Sequence, residues 1–127
     1  LKSPLGRLLQ AAATGHLDSV PHLVWEPGFA VTVVVAAEGY PAAPRTGDVI
    51  AGLADAAELA GVDVFHAGTT VTDDGEIASA GGRVLSVTAH GESLVEARER
   101  AYAAVDLIRL AGSHHRRDIA LTASMGG

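Results

Sequence analysis

Two arginines stand where a guanidinium can meet a ligand. Arg45 lies in Arg45-Thr46-Gly47-Asp48 and Arg83 follows Gly81-Gly82. Each sits near glycine at a strand edge, where the planar fork can hold a phosphate or carboxylate through two parallel hydrogen bonds. The competing assignment is an ion pair with Asp48 or Glu38, and both stay open here. His66 follows Phe65 and precedes Ala67-Gly68-Thr69, a break of small residues through which a ligand can approach the backbone. A substrate contact and a hydrogen-bonded structural histidine are about equally consistent with it. Tyr40, in Gly39-Tyr40-Pro41, shares the loop of Arg45. The substrate-binding candidates are therefore Tyr40, Arg45, His66, Thr69 and Arg83, and no residue is assigned a catalytic, cofactor-binding or metal-binding role.

Other chemistries lack their residues. There is no Gly-rich phosphate loop ending in Lys-Ser/Thr, no Gly-x-Ser-x-Gly elbow and no His-Glu-x-x-His. Gly81-Gly82 precedes a strand rather than opening a helix, so it reads as a bulge or turn and not as a dinucleotide fingerprint. His114 and His115 point apart as sequence neighbours, with no third ligand at a suitable spacing. Asp73 and Asp74 precede Gly75, where turn chemistry accounts for them.

Composition narrows the class further. A chain of 127 residues fits one main core, and with 48% apolar but only 4% aromatic residues that core is built from Val, Leu, Ile and Ala. The net charge is -6, the only lysine is Lys2, and the arginines are scattered, so a nucleic-acid partner is not expected. No apolar run reaches the ~20 residues that span a bilayer, and no signal peptide opens the chain. The lack of cysteine excludes disulfides and accords with a cytoplasmic protein. The first residue is Leu1, not Met, and the expectation is that it begins inside something longer or in a processed chain.

These side chains need a scaffold. Ala30 to Ala37 is a β-branched apolar run expected to form a central strand. The Gly- and Pro-containing segment Glu38 to Asp48 then leaves the sheet as an ordered loop. Val62 to Gly68 alternates with period two and Thr69 to Thr72 continues it, followed by the Asp74-Gly75 signal for a hairpin into Glu76 to Ser79. Arg83 to Ala89 alternates again, with Leu85, Val87 and Ala89 on one face.

Helices are expected over residues 3 to 14, with Ser3 as N-cap and Gly15 as stop, and as one turn over Leu53 to Leu59. The longest is expected from Leu94 to Leu110. There Ser93-Leu94-Val95-Glu96 forms a capping box, Ala97, Ala101, Val105 and Ile108 form the apolar stripe, and Gly112 ends it. Leu17, Leu23 and Trp25 are expected to anchor a connector to the core. His114 to Ala120 is expected to return to the sheet edge, and Thr122 to Gly127 to fray. The fold class is α+β: a small, mostly antiparallel sheet with hairpins, covered by one long helix, plus a short N-terminal helix.

The ordered blocks Leu1-Lys2-Ser3, Gly39-Tyr40-Pro41, Gly47-Asp48-Val49-Ile50, Phe65-His66-Ala67-Gly68-Thr69, Gly81 to Ala89 and Arg116-Arg117-Asp118-Ile119 resemble the C-terminal domain of glycinamide ribonucleotide synthetases, over nearly the whole chain. Pro4, Ala42-Ala43-Pro44, Ala120 and Thr122 depart from the family pattern, which commonly has Gly where Ala120 stands. The resemblance implies residues 1-28 as the end of an ATP-grasp domain and residues 29-127 as a C-terminal β-rich domain. It implies a carbon-nitrogen ligase of purine biosynthesis, phosphoribosylamine-glycine ligase, in which ATP phosphorylates the carboxylate of glycine and phosphoribosylamine attacks the acyl phosphate. ATP and Mg would be bound by upstream ATP-grasp and N-terminal domains, so the 127 residues alone are expected to be inactive. A carrier domain is disfavoured, since the hairpin tip Asp73-Asp74-Gly75 has no lysine. A stand-alone small-ligand binding or assembly module is the alternative.

Overall fold

Alternation over Arg83 to Ala89 predicts a two-faced strand, and in the computed structural model, which describes residues 1–125, Leu85, Val87 and Ala89 are fully buried. This strand, β5 (Arg83–Gly91), is the centre of the main sheet. β1 (Phe29–Ala36) and β2 (Val62–His66) flank it antiparallel, in the order β1-β5-β2, with Val33 and Val64 both opposite Val87. The apolar run of β1 is thus an outer strand, not the central one. Its odd positions Val31, Val33 and Val35 are buried on one face, and that half-burial already accounts for its composition. Beyond β1, among the described residues, only His114 pairs, through mutual backbone bonds with Ala36 at 2.9 and 3.0 Å. Ala36 is opposite Arg83 while Val35 is opposite Leu85, so a bulge leaves Val84 outside the ladder.

The second expected strand does not run on through Thr72. It breaks at Ala67-Gly68, and β3 (Thr69–Val71) pairs instead with β4 (Ile77–Ser79) in a separate hairpin. The Asp-Gly turn forms as expected: Gly75 N–H donates to the Thr72 carbonyl at 2.9 Å, and Glu76 N–H to Thr72 Oγ1 at 3.1 Å. The loop after β1 adds to this hairpin, with Gly47 N–H on the Ser79 carbonyl and Ile50 N–H on that of Ile77.

α3 (Leu94–Leu107) closes one face of the sheet with Ala97, Ala101, Ala104 and Val105 buried. Ser93 Oγ accepts from Glu96 N–H as a capping box requires, but the returning carboxylate takes Glu92 N–H at 2.7 Å rather than that of Ser93. Glu96 also holds Arg100 one turn on, at 2.5 Å. The helix stops at Leu107, short of the expected Leu110. Ile108 and Leu110 are apolar because the chain turns to exchange backbone bonds between Arg109 and Ala51, so both sides of that turn are drawn toward the core.

α2 (Leu53–Ala57) is the expected single turn. α4 (Leu121–Met125) is helical where fraying was expected, and Gly126 and Gly127 of that expectation lie outside the described residues. Ala120, just before α4, takes φ 57°, in the left-handed region that favours glycine.

Residues 1–28 follow different rules. α1 (Leu5–Thr14) ends as expected at Gly15, φ 75°, whose neighbour His16 donates back to Ala11. Its start differs, since Pro4 occupies the cap position and Ser3 Oγ instead accepts Val24 N–H at 2.8 Å. Nothing in α1 is buried. Leu17, Leu23 and Trp25, expected to anchor this segment, are exposed, Trp25 by 65%. No helix among the described residues is long and apolar enough to cross a membrane.

Candidate functional site

With α3 on one face, the other face of the sheet is open. The even positions of β1 point there, Thr32 meeting Thr88 through their hydroxyls at 2.8 Å and Val34 standing opposite Ser86. At one end of this face lies a groove of about 600 Å³ walled by Val34, Tyr40, Ala67, Gly68, Gly82, Arg83 and Ser86. Three segments separated in sequence meet there: the loop after β1, the break between β2 and β3, and the start of β5.

Glycine makes this meeting possible. The Tyr40 ring lies across Gly82 so closely that a Cβ there would overlap it. At Gly68 a Cβ would come within 2.8 Å of the Arg83 carbonyl oxygen and 2.9 Å of Gly81 Cα. Gly68 N–H donates to that same carbonyl at 2.9 Å, and Ala80 N–H to the Gly68 carbonyl at 2.7 Å, which locks the two crossings together.

The candidates divide. Tyr40 and Arg83 wall the groove. His66 and Thr69 flank the same break, with His66 Nδ1 3.0 Å from Thr69 Oγ1, so the histidine is held by a side-chain hydrogen bond while staying exposed. Arg45 does not wall it. Its guanidinium pairs with Glu38 and with Asp48 at 2.7 Å and donates to the Ala111 carbonyl at 3.2 Å. The Asp48 hydrogen bond, with the charges of Asp48 and Glu38, raises the pKa of Arg45 and so fixes its charge where it is already used. The ion-pair assignment therefore describes Arg45, whereas Arg83 has no ion pair and no side-chain hydrogen bond among the described residues. Ala67 and Gly68 are the small-residue break expected to admit a ligand, while Val34 and Ser86 are groove residues that sequence reading missed. Their one signal was the outward half of the alternation in β1 and β5.

His114 is 6.5 Å from Tyr40 between ring centroids, and His115 stacks near Tyr102 at 5.9 Å, so the adjacent histidines serve different neighbours. Among the described residues no three of His, Asp and Glu gather as metal ligands.

The fold and groove define a small α+β domain, one sheet face closed by a helix and the other open at a glycine-lined groove. Residues 30–122 match the family model described as phosphoribosylglycinamide synthetase, C domain, and the chain belongs to that family. Similar proteins include the phosphoribosylamine--glycine ligases of Mycobacterium tuberculosis and Streptomyces coelicolor, each 55% identical over 126 residues. Those alignments cover 99% and 98% of this chain but only 28% and 30% of the relatives, so the chain spans under a third of their length. The crystal structure of phosphoribosylamine--glycine ligase from Thermotoga maritima superposes with a TM-score of 0.72 at 36% identity, over 89% of this chain and 27% of that one.

Proposed function

We propose that the chain is the C-terminal part of an ATP-dependent carbon-nitrogen ligase that joins glycine to 5-phosphoribosylamine in cytoplasmic purine biosynthesis. The observation that carries this reading is the near-complete alignment of the chain with under a third of relatives named for that reaction. ATP and Mg would be held by upstream ATP-grasp and N-terminal domains of the same polypeptide, a reading supported by the 70% or more of the relatives' length that this chain does not cover. Residues 1–28 would belong to the end of the ATP-grasp domain. Eight of the exposed large apolar side chains fall there or at its boundary: Leu1, Leu5, Leu9, Leu17, Leu23, Val24, Trp25 and Phe29. Such a concentration fits a surface covered by another body.

In this reading the groove at Tyr40 and Arg83, with His66 and Thr69 on its rim, is one wall of the substrate site. It orients a small polar substrate and keeps water from it while the upstream domains supply the phosphoryl chemistry. The test is a chimera in which this chain replaces the matching segment of the Mycobacterium tuberculosis relative. The chimera is expected to release ADP only when both glycine and phosphoribosylamine are present, and the 127 residues alone to release none. Turnover by the 127 residues alone, or a folded chimera without activity, would overturn the reading.

A further inference from the structure

The groove at the open sheet face carries a chemical bias that its position does not require. The chain has a net charge of -6, yet no carboxylate of the described residues walls the groove. Arg83, its one cation, is exposed and unpaired among the described residues, whereas Arg45, Arg100 and Arg116 are each tied to a carboxylate. Beside it, the N–H group of Gly82 finds no acceptor among the described residues, although the Gly82 carbonyl is used, taking Ala37 N–H at 2.8 Å. Tyr40 Oη and Ser86 Oγ also make no hydrogen bond to the described residues, while Val34 and the Tyr40 ring supply an apolar wall.

We propose that this groove is a subsite for a phosphate monoester, held by the Arg83 guanidinium together with the Gly82 amide. A free backbone N–H beside a guanidinium is a ready donor pair for an oxyanion. A guanidinium fork takes two oxygens and a separate amide a third, which suits the three terminal oxygens of a monoester better than the two oxygens of a carboxylate. The apolar wall and two free hydroxyls next to it match a sugar, which has carbon faces and hydroxyl edges. That the monoester is a ribose phosphate, rather than a nucleotide phosphate, rests on the ligase reading above. Glycine, the other substrate of that reading, would then bind outside this groove.

The test is amide and arginine side-chain NMR of the 127-residue chain titrated separately with ribose 5-phosphate, ribose, inorganic phosphate, ATP and glycine. Saturable shifts at Gly82 and Arg83 are expected with ribose 5-phosphate, weaker ones with inorganic phosphate, and none with ribose or glycine. Arg83→Ala should weaken ribose 5-phosphate binding about ten- to a hundredfold without moving the thermal midpoint, and Arg83→Lys should restore only part of it. Absence of saturable shifts, or unchanged binding by Arg83→Ala, overturns the subsite. Saturation by ATP but not by ribose 5-phosphate overturns its assignment to the sugar phosphate. The ligase reading stands or falls separately: an active chimera with no ribose 5-phosphate shifts rejects only the subsite, and an inactive chimera with those shifts rejects only the ligase.

Discussion

Val105→Asp is expected to abolish cooperative folding of the sheet domain. Val105 is 4% exposed on the face of α3 that covers the sheet, within the apolar cluster that includes Val33, Leu85 and Val87. No cationic side chain belongs to that cluster, so the new carboxylate would be stranded without a partner. An uncompensated buried charge costs on the order of 3 to 5 kcal/mol, a large part of the ~5 to 15 kcal/mol that holds a domain together. Val105→Thr, close in shape but carrying a hydroxyl, should cost about 1 to 3 kcal/mol and still fold. Circular dichroism melts of the three proteins give the ordering. Equal midpoints for the parent and the aspartate variant would mean that α3 does not close the sheet.

The second large effect is expected at Gly52. This residue takes φ 81° at the start of α2, and a Cβ there would overlap the Leu107 carbonyl oxygen at the end of α3. Two backbone bonds between Ala51 and Arg109, 3.0 and 2.9 Å, clamp the same crossing, so neither strand of backbone can yield cheaply. Gly47 provides the control, with φ 90° and nothing within 4 Å of its added Cβ. Gly47→Ala should lose only the conformational cost of about 1 to 2 kcal/mol. Gly52→Ala carries that cost plus the steric one and should lose roughly 3 kcal/mol or more. Urea midpoints decide it, and equal losses at the two positions would refute the clamp.

Local chemistry was legible in the sequence wherever the partners are near in the chain. The Ser93 cap, the Asp74-Gly75 turn and the Gly15 stop each depend on residues within a few positions, and all three formed. What escaped were choices made by distant partners. Ala30 to Ala37 looks central because a run of valines does not say how many strands flank it, and β5 took the middle by pairing on both sides. Trp25 looks like an anchor because of its size, yet it is exposed in the described chain. Arg45 and Arg83 looked alike, each near glycine at a strand edge. They parted because Glu38 and Asp48 lie within reach of one, while the bulge opposite Ala36 sets the other against a groove without acids. Tyr40, His66, Thr69 and Arg83 were readable as a group only through loop position, and Gly68 was readable as a point of close approach but not as the residue that meets Gly81 and Arg83.

The bare surface of α1 has a thermodynamic consequence. Because this ten-residue helix buries nothing, the free energy released when β1, β5 and α3 come together does not reach it. Its helicity is left to a helix–coil balance, and isolated helices below about 12 to 15 residues are marginal in water even with good sequences. Cooperative melting of the sheet and the winding of Leu5 to Thr14 are therefore separate equilibria in one polypeptide. Any partner that covers Leu5 and Leu9 would have to offset the entropy of ordering that segment, and would bind more weakly than its buried area suggests.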